Sequence, residues 1–278
     1  MSKVWFLNAL LAAVVAALGL IAYLKPGTQA PTEHVLATDK AEHASSIRVE
    51  RAGTAPIVLE KRRDGWFMTA PFAARADSSR VEHLLAITEA RSAHRLAATD
   101  LARFELERPE ARLAVNGQRF DFGMVNPVSR EQYVLTGDAV YAISLRYGSV
   151  LPSRPADLID KRLFGAEEVP VHIELKEFTV GRNDGKWTLN PPRDELSQDD
   201  FQRWMDGWRH ASAVRVEPYT GGNALAEVGL QLQNGGKLTL MILARQPELA
   251  LLRPAEKLVY YFLSGQAKQL LAPPDSRQ

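Results

Sequence analysis

From Val4 to Leu24 the chain runs without a single charged residue: VWFLNALLAAVVAALGLIAYL, with Asn8 as its one strongly polar side chain. At about 1.5 Å of rise per residue, such a run crosses a hydrocarbon core of roughly 30 Å. Trp5 and Tyr23 stand near its two ends, where amphipathic rings favour the membrane interface. The pattern predicts a transmembrane anchor over residues 1–25, contacting the bilayer through residues 4–24. Lys3 before the run and Lys25 after it give only a weak charge bias. With a mere stub before the span, the expected topology is a single pass through a bacterial cytoplasmic (inner) membrane. The bulk of the chain then lies on the periplasmic, extracytoplasmic side. The rival reading is a cleaved signal peptide. Signal h-regions are typically about 7–15 residues, shorter than this run. Thr28-Gln29-Ala30 resembles a cleavage site, although Pro31 directly after it is unfavourable.

Residues 26–46 are rich in Pro, Gly, Thr, Ala and charge, and are expected to be a linker. Beyond them the hydrophobic pattern repeats itself. IRVERAGTAPIVLEKRRDGWFMTAP, from Ile47, parallels VHIELKEFTVGRNDGKWTLNPP, from Val171. In each, two β-patterned runs lead to Asp-Gly, a tryptophan, a short apolar strand and a proline. The pairs are Asp64-Gly65 with Trp66 and Pro71, and Asp184-Gly185 with Trp187 and Pro192. Asp-Gly between apolar alternations signals a hairpin, and the proline stops the strand. A helix is expected next in both. Asp77 or Ser78 caps the first, with Val81, Leu84, Leu85 and Thr88 inward. Ser197 and Asp200 form a capping box for the second, whose apolar stripe is Phe201, Trp204, Met205 and Trp208. RLAVNGQRFDFG from Arg112 then parallels LQLQNGGKLTLM from Leu230, each with an Asn-Gly turn. EQYVLTGDAVYAI from Glu131 parallels ELALLRPAEKLVYYF from Glu248. Short helical segments near Tyr147–Leu151 and Gly265–Leu271 end the two copies.

The expected fold is therefore α+β: an N-terminal transmembrane helix, then two tandem repeats of mainly antiparallel sheet with one main helix each. The first repeat is placed at 47–165, the second at 166–273, and a tail at 274–278. Each repeat is expected to run strand–strand–strand–helix–strand–strand–strand.

Charge and composition narrow the function. The formal net charge is +1, so no basic field of the kind that holds nucleic acid is present, and no nucleic-acid partner is expected. The absence of cysteine excludes thiol catalysis, disulfides and thiolate-bound zinc. None of the six histidines makes a His-Glu-x-x-His pair. No P-loop, Gly-x-Ser-x-Gly elbow or Gly-x-Gly-x-x-Gly is present. Asp77, Asp199 and Asp200 sit at helix starts, where a carboxylate accepts free backbone N–H groups. Catalytic, cofactor and metal residues are accordingly expected to be none. Trp66, Pro71, Trp187 and Pro192 are taken as a structural motif. The Trp204 and Trp208 stripe is either core or an exposed partner contact, and these two residues are the candidates for such a contact.

An N-terminal anchor followed by two units of Trp-x4-Pro, a capped start and an amphipathic helix resembles the bacterial domain-of-unknown-function family 4340. Phe104-Glu105-Leu106 with Pro109, then Gly123, Tyr133-Val134 and Val140-Tyr141, are similar to that family's first-copy pattern. The resemblance covers roughly Ile47 to Leu271. It implies an anchored extracytoplasmic protein, often encoded beside ABC-transporter auxiliary subunits of the gliding-motility type, and supplies no catalytic residues. The leading expectation is a non-enzymatic accessory protein that partners a membrane or envelope protein. Two others stand beside it: a glycan- or lipid-binding module using the tryptophans, and a hydrolase whose Asp, His and Ser converge only in the fold.

Overall fold

The computed structural model describes residues 3–24, 33–193 and 196–275. The Thr28-Gln29-Ala30 motif and Asp194 and Glu195 lie outside the described residues.

Helix α1 is Lys3–Leu24. The first half of the remaining chain carries β1 (His34–Val35), β2 (Ser46–Arg51), β3 (Ile57–Arg62), β4 (Gly65–Ala70), β5 (Ala74–Arg75) and α2 (Ser78–Leu85). It continues with β6 (Arg91–Ser92), β7 (Arg95–Ala97), β8 (Ala111–Val115), β9 (Gln118–Val125), β10 (Glu131–Thr136), β11 (Ala139–Ser144) and α3 (Arg146–Ser149). The second half carries β12 (Pro170–Glu174), β13 (Thr179–Asn183), β14 (Lys186–Asn190), α4 (Gln198–Arg209) and β15 (Arg215–Pro218). It ends with β16 (Ala226–Leu232), β17 (Lys237–Ala244), β18 (Leu249–Arg253), β19 (Leu258–Phe262) and α5 (Ser264–Leu271).

The fold is α+β, with mostly antiparallel sheets and five α-helices among the described residues. The first large sheet has the order β5-β4-β3-β2-β8-β9-β10-β11-β7, and the second β14-β13-β12-β16-β17-β18-β19-β15. Apart from β5, the two orders correspond strand for strand. In each, three strands form a meander, a helix follows, and the chain reaches the far edge as a short strand. It then returns to the middle and runs outward again through four strands. The sequence pattern predicts only three strands after the helix. Each large sheet has five there: one of the two extra strands is the short far-edge β7 or β15, too brief to show an alternation, and the other arises because the segments from Glu131 and Glu248 each fold as two strands, β10–β11 and β18–β19.

Local chemistry explains most of these elements. Asn116 and Gly117 turn β8 into β9, and Asp184 and Gly185 turn β13 into β14, all four with positive φ. That is the conformation a two-residue turn between right-twisted strands requires. The first Asp-Gly behaves differently. Arg62 pairs with Gly65, so Arg63 and Asp64 make the turn and Gly65 opens β4 at φ 131. The two prolines also differ in spacing. Leu59 pairs with Met68 and Val58 with Ala70, which leaves Thr69 as a one-residue bulge in β4. No such shift occurs between β13 and β14. β4 therefore ends five residues after its tryptophan's preceding glycine, directly before Pro71, whereas β14 ends at Asn190, directly before Pro191. The strand-ending proline of the second unit is thus Pro191, one residue before Pro192, because that strand has no bulge to absorb.

The helix caps follow the sequence. Asp77 accepts from the Arg80 N–H at 3.1 Å. At α4 the Ser197 hydroxyl accepts from Asp200 N–H at 3.2 Å, and the Asp200 carboxylate accepts from Ser197 N–H at 2.8 Å. Val81, Leu84 and Leu85 of α2, and Phe201, Trp204, Met205 and Trp208 of α4, are buried. One continuous apolar core takes in the inner residues of both sheets, from Ile47, Leu59 and Met68 to Val228, Leu240 and Tyr260.

The described part of the expected linker, residues 33–46, is seated on the first sheet. Leu36 and Ala44 are buried, and β1 pairs with β6. The Asn116 amide accepts from Ser45 N–H at 2.8 Å and donates to His43 O at 2.9 Å. Gln118 donates to Leu36 O at 2.9 Å and accepts from Thr38 N–H at 3.0 Å. Two turn-flanking amides, invisible in the composition of the segment itself, hold it down.

Helix α1 exposes Trp5, Phe6, Leu7, Leu10, Leu11, Val14, Val15, Leu18, Leu20 and Ile21. Among the described residues, whose side chains in α1 run over 5–21, no helix is long and apolar enough to cross a membrane.

Candidate functional site

The tryptophans come first, because the sequence singles them out. Trp66 and Trp187 are each 8% exposed, Trp204 4% and Trp208 0%. The Trp204 indole N–H donates to Ala272 O at 2.8 Å and that of Trp208 to Leu270 O at 3.1 Å. A buried indole needs an acceptor, and the last turn of a helix has spare carbonyls to supply one. The Trp204 and Trp208 stripe therefore meets the chain's own α5 and the residues after it. It is not an exposed groove for a partner. Trp187 lies beneath the Arg182 guanidinium, 4.6 Å from its ring centre, and Trp66 is equally enclosed. None of these indole faces is open for stacking a sugar ring. Pro71 and Pro192 are exposed, consistent with positions just past strand ends.

The family-type residues of the first copy converge. Phe104, Leu106 and Val140 form a small separate cluster with Leu101, Tyr133 and Leu135 on the outer side of the first sheet. Gly123 permits it: a Cβ there would lie 2.2 Å from Phe104 O and 2.9 Å from Leu106 Cγ. The segment Leu101–Leu106 thus rests directly on the β9 backbone.

Sequence reasoning missed an ionic network where the two halves join. The connecting segment is pinned from both sides. Asp77 N–H donates to Leu158 O and Asp160 N–H to Arg75 O, while Leu163 N–H donates to Ala211 O and Ala213 N–H to Lys161 O. Arg75, from the first half, reaches across to Glu256 at 3.0 Å, Tyr260 Oη at 3.0 Å and Arg162 O at 2.7 Å. Arg253 donates to Leu163 O at 2.8 Å and forks onto the Glu168 carboxylate. Tyr260 donates to Glu256 at 2.6 Å. Burial works against the charge on Arg75, but Tyr260, Glu256 and Asp160 outweigh it and hold its pKa above the ordinary value. Burial pushes the Tyr260 hydroxyl up, with Glu256 adding to the effect, so it stays a donor. Burial also disfavours a charged Glu168, yet the Arg253 fork and the Gly165 N–H hold its carboxyl below the usual range. These groups are spread from residue 75 to residue 260, so no spacing in the sequence could reveal them.

Among the described residues, no three His, Asp or Glu side chains gather closely enough to hold a metal ion. The Asp200 carboxyl is held low by its Ser197 hydrogen bonds and then by Arg203, which fits its capping role.

A groove of about 410 Å³ opens on the outer face of the first sheet, beside the loop that leads into β8. Its walls carry Arg48, Glu50, Arg51, Glu107, Arg108 and Arg112. Cross-strand pairing sets the order: Glu50 lies opposite Arg112, and Arg112 opposite Asp121. Arg48 Nε donates to Glu50 at 2.6 Å, and Arg112 stands 3.6 Å from Asp121 and 4.0 Å from Glu50. Arg51 is fixed by Pro152 O at 3.0 Å, Leu151 O at 3.2 Å and Glu110 at 3.0 Å. A second cavity, of about 260 Å³, lies between α4 and β12, with Arg182, Trp187 and Asp206 on its walls.

No curated protein and no solved structure matches the chain. A family model does match, over residues 66–232, more than half of the chain and including the Trp66 strand, the Phe104 cluster, α4 and β16. The chain belongs to the family described as Domain of unknown function (DUF4340).

Proposed function

We propose that this protein is a membrane-anchored, extracytoplasmic accessory subunit without enzymatic activity. In this reading α1 and the residues flanking it sit in the cytoplasmic membrane. Two modules, related by duplication, stand outside it and bind another membrane or envelope protein, such as an ABC-transporter-type complex. The observation that carries the reading is α1. Apart from Asn8, its described side chains are apolar on every side, with Trp5 64% and Phe6 74% exposed. A water-facing helix ordinarily keeps a polar face, and one hydrophobic all round is ordinarily buried in protein or lipid. The 22 residues of Lys3–Leu24 give a helix of about 33 Å at ~1.5 Å per residue, enough for a bilayer core. The matching strand order of the two large sheets, and a β-bulge in both central hairpins (β9–β10 and β17–β18), support the duplication.

The glycan-binding alternative loses support from the enclosure of Trp66, Trp187 and Trp204. The test of the leading reading is photo-crosslinking in cells followed by mass spectrometry of the membrane fraction. A reproducible membrane-protein partner is the expected result. Recovery of the chain in the soluble fraction, or of self-crosslinks alone, would sink the reading.

A further inference from the structure

The groove on the first sheet is not used by the reading above, and its chemistry is specific. All its cations are arginines, whose planar forks match oxyanions better than an ammonium does. Four arginines and two glutamates line it, and Glu110 and Asp121 at its margin pair with Arg51 and Arg112, which leaves Arg108 as the lining cation with no ion pair among the described residues. Arg51 is held rigid by two backbone carbonyls and Glu110 and forms a fixed wall. Glu50 is already shared between Arg48 and Arg112. Among the described residues the Arg108 guanidinium makes no hydrogen bond or ion pair, whereas Arg112 Nε is enclosed and faces Asp121 at 3.6 Å. The spare donors are therefore on the loop side, at Arg108, with the paired Arg48 and Arg112 facing it across the groove.

We propose that this groove binds a phosphate-type anion, clamped between Arg108 on the loop and Arg48 and Arg112 on the sheet. The anion is either a free phosphate compound or a phosphodiester headgroup, and these share the same recognition by arginine forks. A rigid floor and an exposed loop arginine suit an oxyanion of the size of pyrophosphate. Binding weakens as salt rises, because the site stays open to solvent.

The experiment is calorimetric titration of the full chain in detergent micelles with inorganic pyrophosphate, and in parallel with glycerophosphoglycerol, a deacylated lipid headgroup. The Arg108→Ala chain should bind about tenfold more weakly, the loss of one charge-assisted contact, and Arg108→Glu should show no binding. Arg108 is exposed and without a partner among the described residues, so near-ultraviolet dichroism of both variants should match the native chain. Lys237→Ala, on the other sheet, should bind like the native chain. Tighter binding of glycerophosphoglycerol would identify a headgroup site, and tighter binding of pyrophosphate a site for free phosphate. The proposal is overturned if the native chain binds neither, or if Arg108→Glu binds either one as the native chain does.

Discussion

At the scale of single residues, close approach and enclosure dominate. Gly123 lies under the Leu101–Leu106 segment, where a Cβ would meet Phe104 O at 2.2 Å. Gly123→Ala should therefore lift that segment and cost about 1–3 kcal/mol, the usual penalty of overfilling a packed site. Urea unfolding monitored by fluorescence checks this, and an unchanged midpoint would refute the contact. Trp208 is fully enclosed, and its N–H is used by Leu270 O. Trp208→Ala should cost about 3–5 kcal/mol by cavity formation. The sequence carried part of this. The spacing of Phe201, Trp204, Met205 and Trp208 marks one helix face, and that face is buried. Spacing alone left open what covers it, because the covering helix lies some 62 positions away in the chain. The Gly123 contact was legible only as a family-type residue with no stated role.

At the scale of elements, local signals performed best where one or two residues decide the geometry. The Ser197 and Asp200 capping box forms as the sequence indicates. Ser197→Ala should cost about 1 kcal/mol, read from the same unfolding curves. The Asn-Gly turn at Asn116 was equally plain. The first Asp-Gly was misplaced by one residue, since Asp-Gly suits the turn itself but can also straddle its end. The second proline was misassigned because a bulge at Thr69 lengthens one strand and not the other. Edge strands of three or four residues, such as β7 and β15, leave no periodic trace, although they close the far side of each sheet. The described part of the linker is held by Asn116 and Gln118, which belong to another element and so leave no mark on the segment's own composition.

For the whole molecule, the junction of the two halves is the feature no sequence pattern foretold. Arg253 and Glu168 are paired there with little exposure of the guanidinium. Arg253→Ala would leave Glu168 without its fork and should cost about 3–5 kcal/mol, as for other broken buried pairs. Replacing both residues together should cost less than the sum of the single changes, which a double-mutant cycle measures. The pH dependence follows from the lowered Glu168 pKa. The unfolded chain holds this proton up to the ordinary value of about 4.5, and the folded chain releases it at lower pH. The stabilisation from Glu168 is thus full above the ordinary value and is lost as pH falls through the lowered one. Unfolding midpoints between pH 7 and pH 3 should decline in that lower window, and Glu168→Gln should flatten the decline. An identical decline in the variant would remove Glu168 as its cause.

The way α5 closes over Trp204 and Trp208 sets an order on biosynthesis. The indole N–H groups find their acceptors only at Leu270 and Ala272, and β15 finds its sheet partner only at β19. A nascent chain that has emerged as far as β17 has its second hydrophobic helix exposed, with neither acceptor nor neighbouring strand yet made. The first half has no comparable debt to the far end of the chain, apart from Arg75. Its sheet is complete once β11 has been made. The first half can thus complete its sheet before the second, which must wait until α5 and Ala272 have been made. For that interval the unfinished half is the segment most in need of a holding chaperone.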